Sequence, residues 1–308
     1  APDIVTKINM FAFMWESLGL AFRKPLKTTL ITLMDVKSNG LLHRVVGKFA
    51  HFCNTFLGGN FRWQALPCPF EVHADGIDLV IFEEFGAGEQ ALHLTDEIER
   101  NALMQDESYR RAFRKNYESK FSPRVWHRDF HDATIVDCPD KTVVGKSFGG
   151  IADAAGIHPV DAFLDLVVVH GKRLRWKTVI GNHRKHRLEA LVQDKGSIIS
   201  FSDAGAHIRN MAFYNFGIQL LKLCRDAELE GRRVMPIEKA IWRLTGELAD
   251  WFELDAGRLH LGARADVVVI NPAGLDASVL RYAEAPLAEF GGIPRMVNRN
   301  DAAVTATV

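Results

Sequence analysis

The stretch Gly196-Ser-Ile-Ile-Ser-Phe-Ser-Asp-Ala-Gly-Ala-His207 decides the fold. Its apolar run, Ile198 to Phe201, opens after a glycine and closes on small residues. A short run of this kind, rich in β-branched side chains, reads as a buried parallel strand. The Asp203 carboxylate then stands at the strand's carboxyl end, with the His207 imidazole four residues on. In α/β barrels that end of a strand carries the catalytic groups. An aspartate there, beside a neutral histidine, suits a metal-bound water that must lose a proton. The competing reading is local: Asp203 caps the following helix and His207 is a loop histidine.

A chain of 308 residues accommodates one large domain, or a barrel with an appendage. Lys plus Arg (38) equals Asp plus Glu (38), so no net field recruits nucleic acid or an acidic membrane. Apolar runs fall well short of the roughly 20 residues of a membrane helix. Met10-Phe-Ala-Phe-Met-Trp15 is interrupted by Glu16, Arg23 and Lys24 and has no cleavage site, which argues against a signal peptide. Cys53, Cys68, Cys138 and Cys224 are too far apart for a zinc ribbon. They read as buried free thiols in a cytoplasmic protein. The chain contains neither His-x-His nor His-Glu-x-x-His. It opens on Ala1-Pro2-Asp3 and closes on Ala302-Ala-Val-Thr-Ala-Thr-Val308, and both ends read as cuts through a longer polypeptide.

Working outward, residues 7–22 show helical spacing, with Phe11, Phe13, Trp15 and Phe22 as core or as a contact face. Thr28 to Leu33 reads as a strand, 40–52 as a helix, and Phe61 to Leu66 as a strand stopped by Pro67-Cys68-Pro69. That alternation argues a parallel sheet with crossover helices. Between about 70 and 145 the texture changes. Thr95 to Lys120 is charged and reads as a solvated insertion helix. The α/β rhythm then resumes. Helices are expected at 147–156 and 158–170, the latter opened by Pro159. A strand over Trp176–Gly181 ends at Asn182-His183, and helices follow over 188–192, 211–230 and 236–246. Gly257 to Pro272 reads as strand, glycine turn, strand, in a small β-rich unit. His127 and His131 have helical i, i+4 spacing that suits a metal, yet read better as surface histidines.

Three segments together resemble a family: Ser202-Asp-Ala-Gly-Ala-His207, Leu244-Thr-Gly-Glu-Leu-Ala-Asp-Trp-Phe252, and Gly257-Arg-Leu-His-Leu-Gly-Ala-Arg-Ala-Asp-Val-Val-Val-Ile270. The chain looks like a metal-dependent amidohydrolase, closest to the D-aminoacylase (N-acyl-D-amino-acid deacylase) family. Val143 to Asp165 resembles that branch too, and Phe61 to Pro69 more loosely. The resemblance covers residues 25–308. It implies an α/β fold: a (β/α)8 TIM-type barrel, present here as its C-terminal half, with a small C-terminal β-sandwich subdomain. Residues 1–255 would supply barrel strands five to eight with an insertion at about 70–145. Residues 256–308 would form the subdomain.

By the same resemblance the activity is hydrolysis of amide C–N bonds, as in an N-acyl-amino-acid deacylase. The cofactor would be zinc or another divalent metal, one ion or two. Asp203 would be the catalytic residue and a metal ligand. His207, Ser202 and Asn182 would line the substrate site, and His183 and Cys68 are further candidate ligands. The family's first half carries a His-x-His pair that this chain lacks. We therefore expect an N-terminal half of the enzyme, as a separate or cleaved chain, to complete the barrel; open sheet edges otherwise aggregate. Two other readings stand beside this one: a hydrolase of a cyclic amide, urea or lactone on the same fold, and a non-catalytic subunit completing a partner's barrel.

Overall fold

A computed structural model describes residues 4–19, 24–120, 124–203, 205–298 and 300–308. The chain begins with α1 (Ile4–Ser17), β1 (Lys27–Leu30), α2 (Leu42–Phe56) and β2 (Asn60–Ala65). The helix–strand alternation expected there is present. Phe11 and Phe22 lie outside what is described of side chains, while Phe13 and Trp15 are exposed.

The next elements are β3 (Phe70–Asp75), α3 (Gly86–His93), α4 (Glu97–Gln105), α5 (Glu107–Glu118) and β4 (Ala133–Asp137). They are followed by α6 (Phe148–Ala155), α7 (Pro159–His170) and β5 (Arg175–Gly181). Then come α8 (Lys185–Gln193), β6 (Ser197–Ile199), α9 (Phe216–Leu229), α10 (Ile237–Leu244) and α11 (Gly246–Phe252). The described chain ends with β7 (Val268–Ile270), β8 (Ala283–Leu287), β9 (Ile293–Val297) and β10 (Val304–Thr307).

Strands β1, β2 and β6 form one parallel sheet in that order, with Thr28 opposite Phe61 and Ala65 opposite Ile199. All three residues of β6 are buried, as its unbroken apolar run requires. Helices α8, α9 and α10 cover this sheet through Leu188, Val192, Leu220, Cys224 and Ala240. Arg243 of α10, itself buried, donates to the carbonyls of Val192 and Ser197 and pairs with Glu247 at 2.9 Å. It thereby ties the start of β6 to the helix layer.

The strand at Arg175–Gly181 departs from expectation. It is not a further member of the parallel sheet. It runs antiparallel between β3 and β4 and meets the β1 connection only through a bridge from Gly181 to Val36. The reason lies in its side-chain alternation. Trp176, Thr178 and Ile180 are buried, while Lys177 and Val179 between them are less so. A strand with one covered face belongs in an antiparallel sheet. Lys177 pairs across the ladder with Glu71 at 2.9 Å. The described strands therefore form no closed barrel.

The stretch read as a solvated insertion helix is also different. It is two helices, parted at Asp106 and separately capped. Asp96 accepts from Ile98 and Glu99, and Asp106 accepts from Tyr109. Each sends apolar groups inward, notably Met104, Tyr109 and Phe113. These join a large aromatic core in which Phe163 stacks on Phe130 (ring centroids 4.6 Å apart) and on Phe82 (5.4 Å). Trp126, Phe148 and Trp176 close the cluster edge-on. Each such ring contributes about 1.5–3 kcal/mol through burial.

Local signals hold well in α6 and α7. Ser147 Oγ accepts from Gly150 N at 3.0 Å, Gly156 closes α6 in the left-handed region, and Pro159 opens α7. The helix expected from Met211 starts only at Phe216, because Met211 and Phe213 leave the helical path to fill the aromatic core. Beyond α11, residues 257–262 form no strand; Leu259 and Leu261 are exposed with no ladder to join. The C-terminal strands make two antiparallel pairs, β7 with β10 and β8 with β9. No helix among the described residues is long and apolar enough to cross a membrane.

Candidate functional site

Beyond β6 the chain continues through Phe201, which packs on Phe70 (5.9 Å), to Asp203. Asp203 adopts φ +47°, in the left-handed region. Aspartate and asparagine tolerate that region better than other side chains, yet it still carries strain of order 1 kcal/mol. The side chain is 38% exposed and lies 3.8 Å from His207 Nε2. The loop carrying both is held from two sides. His207 O accepts from the backbone of Asn210 (2.9 Å) and Met211 (3.0 Å), and Asn210 exchanges bonds with His73 of β3. Met296 of β9 donates to Ile208 O at 2.8 Å. A carboxylate and an imidazole thus face solvent at the carboxyl end of a buried parallel strand. Ser202 lies beside them, partly buried.

Asn182 follows β5 with φ +57° and is 1% exposed. Its Oδ1 accepts the Asp35 N–H at 3.0 Å, and its Nδ2 donates to Leu66 O (3.1 Å) and Cys68 O (3.3 Å). The side chain expected at the substrate rim therefore joins the ends of β1, β2 and β5. Cys68 is buried, and burial followed by the nearby Glu71 charge pushes its thiol far up, so it stays protonated. His183 is exposed at its own turn. Partial desolvation, then the charges of Arg184 and Lys37, hold its pKa below the ordinary value. Among the described residues, no hydrogen bond or ion pair joins Asn182, Cys68 or His183 to Asp203.

Two polar clusters escaped the sequence reading. Asp35, 0% exposed, accepts from Arg184 Nε at 2.6 Å and Arg187 at 3.0 Å, with His43 Nδ1 3.5 Å away. Burial alone would raise its pKa; the two guanidinium groups outweigh burial and hold it below the usual carboxylate value. A signal was available, since Asp35 closely follows the predicted strand Thr28–Leu33, as Asp203 follows its own. The second cluster joins Asp75 to Arg175 (2.8 Å) and Arg209 (2.8 Å), with Glu284 on Arg209 at 3.0 Å. His73 sits beside it against the Tyr282 ring, buried, with neither ring nitrogen hydrogen-bonded. Desolvation, then the charges of Arg175, Lys177 and Arg209, push its pKa down to about 3. It is neutral at physiological pH.

His127 and His131 do not form an i, i+4 helical pair. Arg128 turns the backbone at φ +55°, and a short 3-10 turn follows over Phe130–Asp132. His127 pairs with Asp132 (2.8 Å), and His131 with Asp153 (3.2 Å). No group of three or more His, Cys, Asp or Glu side chains able to hold a metal ion occurs among the described residues. The expected zinc site is therefore not assembled by the donors described here. Asp203 has one imidazole neighbour, His207, and no described hydrogen bond or ion pair brings Cys68 to that pair.

No protein-family profile matches the chain. Uncharacterized proteins of Mycobacterium tuberculosis (strain H37Rv) and Mycobacterium bovis are each 51% identical to it over 310 aligned residues. The match takes in 100% of this chain and 51% of each relative. The chain thus spans about half the length of the curated relatives it matches. Among solved structures, it is similar to an N-acyl-D-glutamate deacylase from Bordetella bronchiseptica, complexed with zinc and a phosphonate inhibitor. That match has 17% identity and a TM-score of 0.45, over 80% of this chain and 40% of the other. It is also similar to a D-aminoacylase described as defining a novel subset of amidohydrolases. Here identity is 12% and TM-score 0.48, over 97% of this chain and 49% of the other.

Proposed function

We propose that this chain is the C-terminal part of a hydrolase of amide C–N bonds, acting on an N-acylated amino acid or a related small amide. Asp203 is the proton-transferring carboxylate. The observation that carries the reading is the end of β6: a solvent-facing aspartate, strained at φ +47°, in a loop fastened by β3 and β9 and 3.8 Å from His207. Strained left-handed residues at strand ends often mark functional positions. The sequence resemblance from Ser202 through Ile270 supplies the reaction class.

In this reading Asp203 takes a proton from the attacking water and returns it to the leaving nitrogen. His207 borders the same mouth and contacts the substrate. Asn182 serves by joining the chain after β1, β2 and β5 rather than by touching substrate. A divalent metal, where one is held, takes most of its donors from polypeptide beyond this chain, because the described residues supply no complete set.

The same shortage of donors favours a second reading, in which the chain completes a barrel whose chemistry lies wholly elsewhere. One experiment separates the two. The complete protein, carrying the other half of the relatives' length, is assayed on a panel of N-acyl amino acids, with and without Asp203→Asn. A fall in kcat of about 100-fold or more supports the catalytic assignment. Unchanged turnover in the variant favours the non-catalytic reading.

A further inference from the structure

Helices α2 and α8 open side by side. Gly40 O, just before α2, accepts from Arg187 Nη1 of α8 at 2.8 Å. Both first turns are basic: α2 begins Leu42-His43-Arg44, and α8 begins Lys185-His186-Arg187. Neither turn holds an acidic residue, and neither helix has a side-chain cap. The amino end of a helix is already its positive end, so cations there are repelled and an anion is stabilising. Asp35 offsets part of this charge, but it is shared between Arg184 and Arg187. Between the two helices runs a groove of about 530 Å³. Although the whole chain is neutral, four cationic side chains line the groove, Arg44, Lys48, Arg187 and Lys195, against one carboxylate, Asp194. Asp194 is engaged locally, accepting the Gly196 N–H at 2.6 Å. Among the described residues, no ion pair holds Arg44, Lys48 or Lys195.

The groove also gathers nitrogens that lack partners. His43 Nδ1, Trp63 Nε1 and Arg187 Nε belong to residues that line it, and each is buried without a hydrogen-bond partner. The His43 side chain is 10% exposed, and its Nδ1 stands 3.5 Å from Asp35 Oδ1 without bonding it. The three come from α2, β2 and α8, and a buried polar group left unpaired costs about 1–3 kcal/mol. A ligand rich in acceptor oxygens suits these nitrogens and the unpaired cations alike. Leu33, Phe61 and Trp63 give the same groove an apolar and aromatic wall. Among the described residues, none of α1 lines it. We propose that the groove between α2 and α8 binds a small aromatic phosphate, with the chemistry of a nucleoside monophosphate. The phosphate lies between the two helix openings, with Arg44 and Arg187 as its cations, and the ring system lies against Trp63. Phosphate suits the site better than carboxylate, because it brings a third terminal oxygen and a second charge to three unpaired cations. The volume fits, since small-ligand pockets run from about 300 to 1,000 Å³. The groove reaches Gly196, before β6, whereas Asp203 follows the end of that strand. The proposal therefore stands apart from the hydrolase reading.

The test uses the complete protein in calorimetric titrations at physiological ionic strength, with adenosine monophosphate, adenosine and inorganic phosphate as probes. We expect the monophosphate to bind with a dissociation constant below about 100 µM, and adenosine and phosphate to bind at least about tenfold more weakly. Arg44→Ala with Lys48→Ala should weaken binding of the monophosphate at least about 20-fold. Both side chains are exposed, and losing a cation from the first turn does not weaken α2. The thermal midpoint of the ligand-free variant should therefore equal or exceed that of the parent protein. Arg111→Ala with Lys115→Ala removes equal charge from the exposed face of α5 and should leave binding within about twofold. Gly47→Leu narrows the groove without removing charge. A Cβ there meets Leu33 at 3.8 Å, an ordinary contact, so the fold tolerates it and binding should fall at least about tenfold. Four results would overturn the proposal: no binding of the monophosphate, adenosine binding as tightly as its phosphate, an equal loss in the α5 control, or full binding by Gly47→Leu.

Discussion

Asn182 and Asp35, 147 positions apart, are joined twice: Asp35 N–H donates to Asn182 Oδ1 at 3.0 Å, and Asn182 N–H donates to Asp35 O at 2.9 Å. With Asn182 Nδ2 on the carbonyls of Leu66 and Cys68, this residue closes three strand ends into one unit.

Asn182→Ala leaves the Asp35 N–H and two buried carbonyls without these partners and places alanine at φ +57°. We expect a loss of about 3 kcal/mol in urea unfolding. A residue acting only at a substrate rim would leave the urea midpoint unmoved, so a change under 0.5 kcal/mol contradicts the structural role.

Asp203 makes the opposite prediction. Its side chain is partly exposed, so Asp203→Asn should change stability by less than about 0.5 kcal/mol while turnover of the complete protein falls. Asp203→Gly relieves the left-handed backbone at φ +47° and should leave the protein as stable or stabilise it by roughly 0.5 kcal/mol. If instead Asp203→Asn costs about 1–2 kcal/mol, the carboxylate charge itself is structural, because asparagine keeps both a capping oxygen and tolerance of the left-handed region.

His73 titrates at about 3 in the fold and near 6.5 when unfolded. Between those values the unfolded chain binds the extra proton. This contribution is therefore complete above pH 6.5 and is lost as pH falls towards 3, at up to about 1.4 kcal/mol per pH unit. His73→Phe, next to the Tyr282 ring, should flatten the stability profile between pH 6.5 and 4 relative to the parent protein. Equal slopes in both, measured by urea midpoints, would show that His73 is already charged in the fold.

Phe113 tests whether the helices over 97–118 belong to the core. It is 0% exposed and meets Phe85 edge-on at 5.1 Å. Phe113→Ala should cost about 3–5 kcal/mol. In a helix merely lying on the surface, the same change would be nearly neutral.

Much of the local structure was written in the sequence. Ser147, Gly156 and Pro159 mark the limits of α6 and α7 through short-range hydrogen bonding and backbone preference, and the apolar run Ile198–Phe201 announces a buried strand. Asp203 at the end of that strand was legible for the same reason. The pairing of Trp176–Ile180 was not legible: polar Thr178 is buried and apolar Val179 is less so, so the alternation of covered positions that goes with its antiparallel pairing exists only in the folded structure.

Other features were decided only by tertiary structure. Nothing near Asp35 in sequence indicates Arg184 and Arg187, and nothing near Asn182 indicates Leu66 or Cys68. Propensity and periodicity act over a few residues, so the chain by itself determined most helix and strand positions and which side chain ends β6, but not the late start of α9 at Phe216 or the missing strand over 257–262. Which strands pair, which polar groups meet in the interior, and which helices flank one groove depend on contacts between residues far apart along the chain, and packing alone selects those.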